Sequence, residues 1–206
     1  MSGWTVHSGR AVALMADNID TDQLIPARFM SVPRSEGYGQ FLLHDLRFDD
    51  TGASTGLALD AVPGASVLIA GRNFGSGSSR EAAVYALVDF GFRVVVAPSF
   101  GDIFAANAVN NGLLPAIVSE AEARVLAQAA EDGMAAGGAQ ARVDIKAGRL
   151  RVQDTTARFA LSDIDRTKLM QGWDDIDLTR AHATEIAAFR AARRAVPGAW
   201  PAGAGT

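Results

Sequence analysis

The chain has 206 residues, 49% hydrophobic and 20% charged, which allows a packed core and excludes a disordered, collagenous or low-complexity chain. Nineteen Lys and Arg against 23 Asp and Glu leave a formal charge of −4, so the basic excess of a nucleic-acid binder is missing. With no cysteine, this chain cannot offer disulfides, thiolate zinc sites, a cysteine nucleophile or the thiolates of an iron–sulfur cluster.

The start, from Met1 to His7, lacks the basic and apolar regions of a secretory signal. No stretch approaches the roughly 20 apolar residues of a membrane span. The expectation is a cytoplasmic protein without a membrane partner. Residues 4–15 read as a strand or hairpin carrying Val6, Ala11, Val12 and Leu14. Asp17-Asn18-Ile19-Asp20-Thr21-Asp22 reads as a turn, and Pro26 stops any strand there. Residues 31–64, with Gly37, Gly39, Gly52, Gly56 and Pro63, read as a long irregular loop, the kind that is functional or partly disordered.

The apolar run from Ser66 to Gly71 predicts a buried strand. Ala82, Ala83, Ala86, Leu87 and Phe90 recur at helical spacing over 79–90, and Gly91 is placed to stop that helix. Val94 to Ala97 is a second buried strand, so the order is that of a parallel βαβ unit. A short helix near 102–110 and a strand over 113–118 follow. Ser119-Glu120-Ala121-Glu122 is a capping box for a helix to about 131. Segments 142–145, 149–153 and 156–161 alternate polar and apolar, giving a hairpin and a further strand. Helices near 163–171 and 177–194 close one α/β domain, residues 1–195. Residues 196–206 are expected to be a flexible tail.

The sharpest feature is Gly71-Arg72-Asn73-Phe74-Gly75-Ser76-Gly77-Ser78-Ser79-Arg80-Glu81, which joins a buried strand to a helix start. Glycines allow a tight turn and close approach to a ligand. The free N–H groups of the helix start favour an anion, and Arg80 adds a planar fork suited to a carboxylate or phosphate. Three familiar loops fail to fit. A dinucleotide loop needs Gly or Ala where Arg80 stands. A P-loop needs Lys after its last glycine, and a nucleophile elbow needs Gly-x-Ser-x-Gly. The segment also fits plain capping, with Ser78 as N-cap and Glu81 at N3.

Gly75-x-Gly77-Ser78-Ser79-Arg80-Glu81 resembles the swivel-domain motif of the aconitase superfamily. Asn18 to Pro26 resembles the DTD-x-I-I-P segment of the 3-isopropylmalate dehydratase small-subunit family. Leu46-Arg47-Phe48, Ala97 to Phe104 and Asn110 to Pro115 match that family in the same order, and the likeness extends to about residue 190. It implies an α/β fold: a swivelling β/β/α domain with a parallel βαβ core and a C-terminal helical segment. It also implies a heterodimer with a large subunit that carries a [4Fe–4S] cluster, none being held on this chain. The implied reaction interconverts 2-isopropylmalate and 3-isopropylmalate by dehydration and rehydration in leucine biosynthesis.

By the same resemblance, Ser78 is the general base. Arg80 binds a substrate carboxylate, Ser79 adds a hydrogen bond, and Gly75 and Gly77 admit the substrate to the loop backbone. The partner's iron takes the leaving hydroxyl. Two positions depart from the family: Ala82 stands where His is usual, and Ser76 where Cys is frequent. A related hydro-lyase acting on citraconate, maleate or dimethylmaleate is the alternative, and a non-catalytic anion-binding module is the second. Asp20, Thr21 and Asp22 read as capping residues of a turn, with contact to the active site as the other reading. Arg47 reads as a surface residue, with substrate contact as its other reading, and the 31–64 segment as part of the substrate entrance. His7, His44 and His182 lack ligand spacing, and no metal site is expected.

Overall fold

A computed structural model describes residues 3–194; the expected tail, 196–206, lies outside them. The first strand, β1, spans Val6–Leu14. Asp20 then caps a four-residue helix, α1 (Thr21–Leu24), through a capping box with Gln23.

Residues 31–64 are more ordered than their composition suggests. They form 3₁₀ turns at Arg34–Glu36 and Gly39–Phe41 and short helices α2 (His44–Arg47) and α3 (Ala58–Ala61). Tyr38, Leu42, Leu43, Leu59 and Val62 are buried beneath them. Elements this short present no helical or strand period, so the anchors were visible only as scattered apolar residues.

Strand β2 (Ala65–Ala70), helix α4 (Glu81–Phe90), strand β3 (Val94–Ala97), helix α5 (Asp102–Asn110) and strand β4 (Leu114–Ile117) then alternate. Helix α6 (Glu120–Asp132) starts with the expected Ser119–Glu122 capping box. Strands β5 (Ala139–Asp144), β6 (Arg149–Val152) and β7 (Thr155–Arg158) follow. The seven strands of the described residues form one sheet in the order β4-β3-β2-β1-β5-β6-β7. Strand β1 is its pivot, parallel to β2 and antiparallel to β5. It is a single strand, so the hairpin alternative over 4–15 is not realised.

The parallel half is apolar on both faces. Val67, Ile69, Val94 and Val96 pack with Leu126 and Ala127 of α6. Leu68, Ala70, Val95 and Ala97 face Leu87 of α4 and Phe104 of α5. Burial on both sides explains why β2–β4 read as unbroken apolar runs while β5 alternates. Toward the C-terminus the described residues form three helices where the sequence suggested two: α7 (Asp163–Gln171), α8 (Asp175–Ala181) and α9 (Ala183–Arg194). An Asp174–Asp177 capping box starts α8 earlier than expected, and His182 ends it.

Candidate active site

The carboxyl ends of the parallel strands carry the loop Gly71–Arg80, where open α/β sheets bind their ligands. Phe74 is fully buried and meets Phe100 and Phe104 edge-on. Gly75 has φ of +73°, and a Cβ there would lie 2.2 Å from the Phe104 ring, so any other residue would displace that ring. Gly77, at φ of +94°, turns the chain outward. Gly77, Ser78 and Ser79 are exposed at its tip.

The capping reading of Ser78 is not realised. The N-cap of α4 is Arg80, in extended backbone, and no side chain caps the helix. The Glu81 carboxylate instead accepts from Asn111 Nδ2 at 2.9 Å, at the end of α5. The first turn of α4 therefore keeps amide donors free beside the Ser78–Arg80 tip.

The segment containing Asp20, Thr21 and Asp22 lies directly against this loop. Gly75 N donates to the Ile19 carbonyl at 2.7 Å and Thr21 N to the Ser76 carbonyl at 2.9 Å. Thr21 is buried, and its Oγ1 donates to the Ser78 carbonyl at 3.0 Å. Arg80 forms an ion pair with Asp22; the arginine side chain is 22% exposed and the aspartate 55%. Asp20 caps: its Oδ1 accepts from Gln23 N at 2.7 Å, and its own N–H donates to Gln23 Oε1 at 2.9 Å. The three residues thus divide into a cap, a buried tether and an exposed carboxylate partner.

Arg47 is neither on the surface nor bonded to the loop. Its side chain is 11% exposed and pairs with Asp60 at 2.7 Å. It also donates to the Leu42 carbonyl and lies over the Phe48 and Phe90 rings, bracing the 31–64 segment. Among the described residues no three His, Asp or Glu side chains are placed to hold a metal ion. None of their helices is long and apolar enough to cross a membrane.

The motifs assign no site role to Asn18 or Asn73, and Asn111 reads only as part of the Asn111-Gly112 end of the helix near 102–110. The signal was present in the first two: each is a residue tolerant of left-handed backbone a few positions beyond a strand.

Residues 1–121 match the family model of the aconitase C-terminal domain. The 3-isopropylmalate dehydratase small subunit of Shewanella denitrificans is 43% identical over 198 residues, covering 93% of this chain and 96% of its own. That of a Parafrankia species is 42% identical over 193 residues, covering 94% and 96%. The solved 3-isopropylmalate dehydratase structure from Methanocaldococcus jannaschii superposes with a TM-score of 0.60 at 22% identity, covering 89% of this chain and 99% of the other.

Proposed function

The chain belongs to the family of 3-isopropylmalate dehydratase small subunits, with the aconitase-type swivel fold, and we propose that it acts as the small subunit of this hydro-lyase. On this reading it interconverts 2-isopropylmalate and 3-isopropylmalate, a step of leucine biosynthesis, in the cytoplasm. The observation that carries the reading is the Arg80–Asp22 pair beside exposed Ser78. An arginine at an uncapped helix start already holds one carboxylate, and the substrate offers two.

Each residue then has a chemical task. Arg80 presents its guanidinium fork to a substrate carboxylate, and Ser79 adds a hydrogen bond. Ser78 removes the proton from the substrate carbon. A serine hydroxyl is a weak base, so its deprotonated form needs the positive field of the free α4 amides and Arg80. The Thr21 tether fixes the Ser78 backbone without using its hydroxyl, leaving that oxygen for chemistry.

The exposed tip requires a second wall to exclude water, which we assign to the large subunit of a heterodimer. This chain has no cysteine and no metal-holding cluster among its described residues, so its residues do not fit an iron–sulfur cluster. We place the [4Fe–4S] cluster on the partner, and no task of this chain passes through it.

The test is reconstitution with the cluster-loaded large subunit, assayed on both isopropylmalates and on citraconate, maleate and dimethylmaleate. Interconversion of the isopropylmalates by the complex, with neither subunit active alone, is the expected result. Turnover by this chain alone, or preference of the complex for another acid of the panel, overturns the proposal.

A further inference from the structure

Asn18 and Asn73 face each other beyond the carboxyl ends of β1 and β2, outside the groups assigned above. Both hold left-handed backbone, at φ of +59° and +57°, a conformation that Asn tolerates better than most residues bearing a Cβ. Their side chains meet, Asn73 Nδ2 donating to Asn18 Oδ1 at 2.8 Å. The backbone is tied at the same height. Asn18 N donates to the Arg72 carbonyl at 2.9 Å, and Arg72 N donates to Asp17 Oδ1 at 3.0 Å. Asn73 N donates to Ser99 Oγ at 2.8 Å, which adds the loop after β3.

The parallel partners β1 and β2 thus leave the sheet through two matching left-handed turns. Beyond these turns the segments run side by side, joined at Gly75–Ile19 and Thr21–Ser76. A slip of one residue between them would part Thr21 from Ser78 and Asp22 from Arg80. The register of the candidate site is therefore decided where the two turns are clasped.

We propose that Asn18 and Asn73 form a paired latch that sets the register between the Asp22-bearing and Ser78-bearing segments, making both positioning residues for the reaction. The proposal rests on the functional reading of the Ser78 loop. It explains the need for a donor at position 73 facing an acceptor at position 18. A pair of glycines would accept the backbone but not the link, and a pair of carboxylates would accept the backbone with no donor between them.

Three variants separate these demands. Asn18→Asp keeps an acceptor for Asn73 Nδ2. Asn73→Gly keeps the backbone and removes the link. The double variant Asn18→Asp/Asn73→Asp sets two acceptors face to face. Each is measured for amide hydrogen exchange at Thr21 and Gly75, and for kcat and KM in the complex with the large subunit. Asn18→Asp should behave like the parent. The other two should exchange at these amides about tenfold faster or more while amides of β2 and β3 keep their protection. Their kcat should fall up to about 100-fold, the scale of a misplaced reacting group, with a smaller change in KM.

Parental protection of Thr21 and Gly75 in the double variant overturns the latch. So does lost protection with parental kcat when Ser78→Ala is inactive, because register would then not matter to a working site. Full activity of Ser78→Ala would instead overturn the functional reading, and the exchange data alone would then decide the latch.

Discussion

Thr21 Oγ1 donates to the Ser78 carbonyl at 3.0 Å across 57 positions of chain, tying a buried side chain to the exposed tip of the glycine loop. The same carbonyl accepts from Arg80 N at 2.8 Å, so the Ser78 backbone is held from two sides while its side chain stays accessible. Thr21→Val should remove the tether at a cost of about 0.5–1.5 kcal/mol, the net worth of one hydrogen bond. It should lower kcat more than that stability loss accounts for, and Thr21→Ser should restore both. Urea unfolding and steady-state kinetics of the complex check this; parental kcat in Thr21→Val would mean that the tether serves folding alone.

Ser78→Ala tests the general base. Turnover of the complex should fall by about 10²–10⁴, the range for such groups. Stability should barely change, because Arg80 rather than Ser78 is the N-cap and no side-chain capping bond exists to lose. A thermal shift as large as that of a lost cap, about 1 kcal/mol, would show that the Ser78 side chain has a structural role instead.

Arg80→Lys should lower kcat/KM by about 10–100-fold, since an ammonium cannot reproduce the planar fork and a hydrogen bond to a charged group is worth roughly 1.5–3 kcal/mol. The loss should appear for every dicarboxylate tried. Asp22→Asn should cost several-fold less than Arg80→Lys, because it removes the partner that orients the guanidinium and leaves the guanidinium itself. Equal losses for the two variants would make the ion pair, rather than Arg80, the binding element.

His7 and Asp45 each add a pH dependence to stability. Burial, aided by Arg93, holds the His7 imidazole below its ordinary 6.5, while its Nε2 pairs with Ser66 Oγ at 2.7 Å. A depressed value means that the unfolded chain takes up its proton first. The contribution of His7 is complete above 6.5 and is lost as pH falls below it. Asp45 is lowered from 3.8 to about 2, chiefly by the hydrogen bond from Arg28 and also by His44. Its contribution is present above about 3.8 and is lost as pH falls through 2. The effect should be small, since the Asp45 side chain is 53% exposed. Denaturation at stepped pH should show His7→Gln flattening the slope just below 6.5 and Asp45→Asn flattening only the acid limb.

The parallel core is legible in neighbouring residues, because strands buried on both faces must be continuously apolar and the helix between two of them keeps a 3.6-residue period. So are the Ser119–Glu122 capping box and the special status of the Gly71–Glu81 loop. Local pattern left open whether Ser78 caps a helix and which groups Asp22 and Arg47 pair with. The partners these side chains find within the fold depend on tertiary contacts. Arg80 found Asp22 across 58 positions, Thr21 found the Ser78 carbonyl, and Arg47 was drawn inward within the 31–64 segment by Asp60. Local pattern specifies which backbone shapes a segment can take, but the partner of a buried or charged group is chosen by packing. Only the assembled sheet, which sets the ends of β1 and β2 side by side, brings the Asp22 and Ser78 segments within hydrogen-bonding distance.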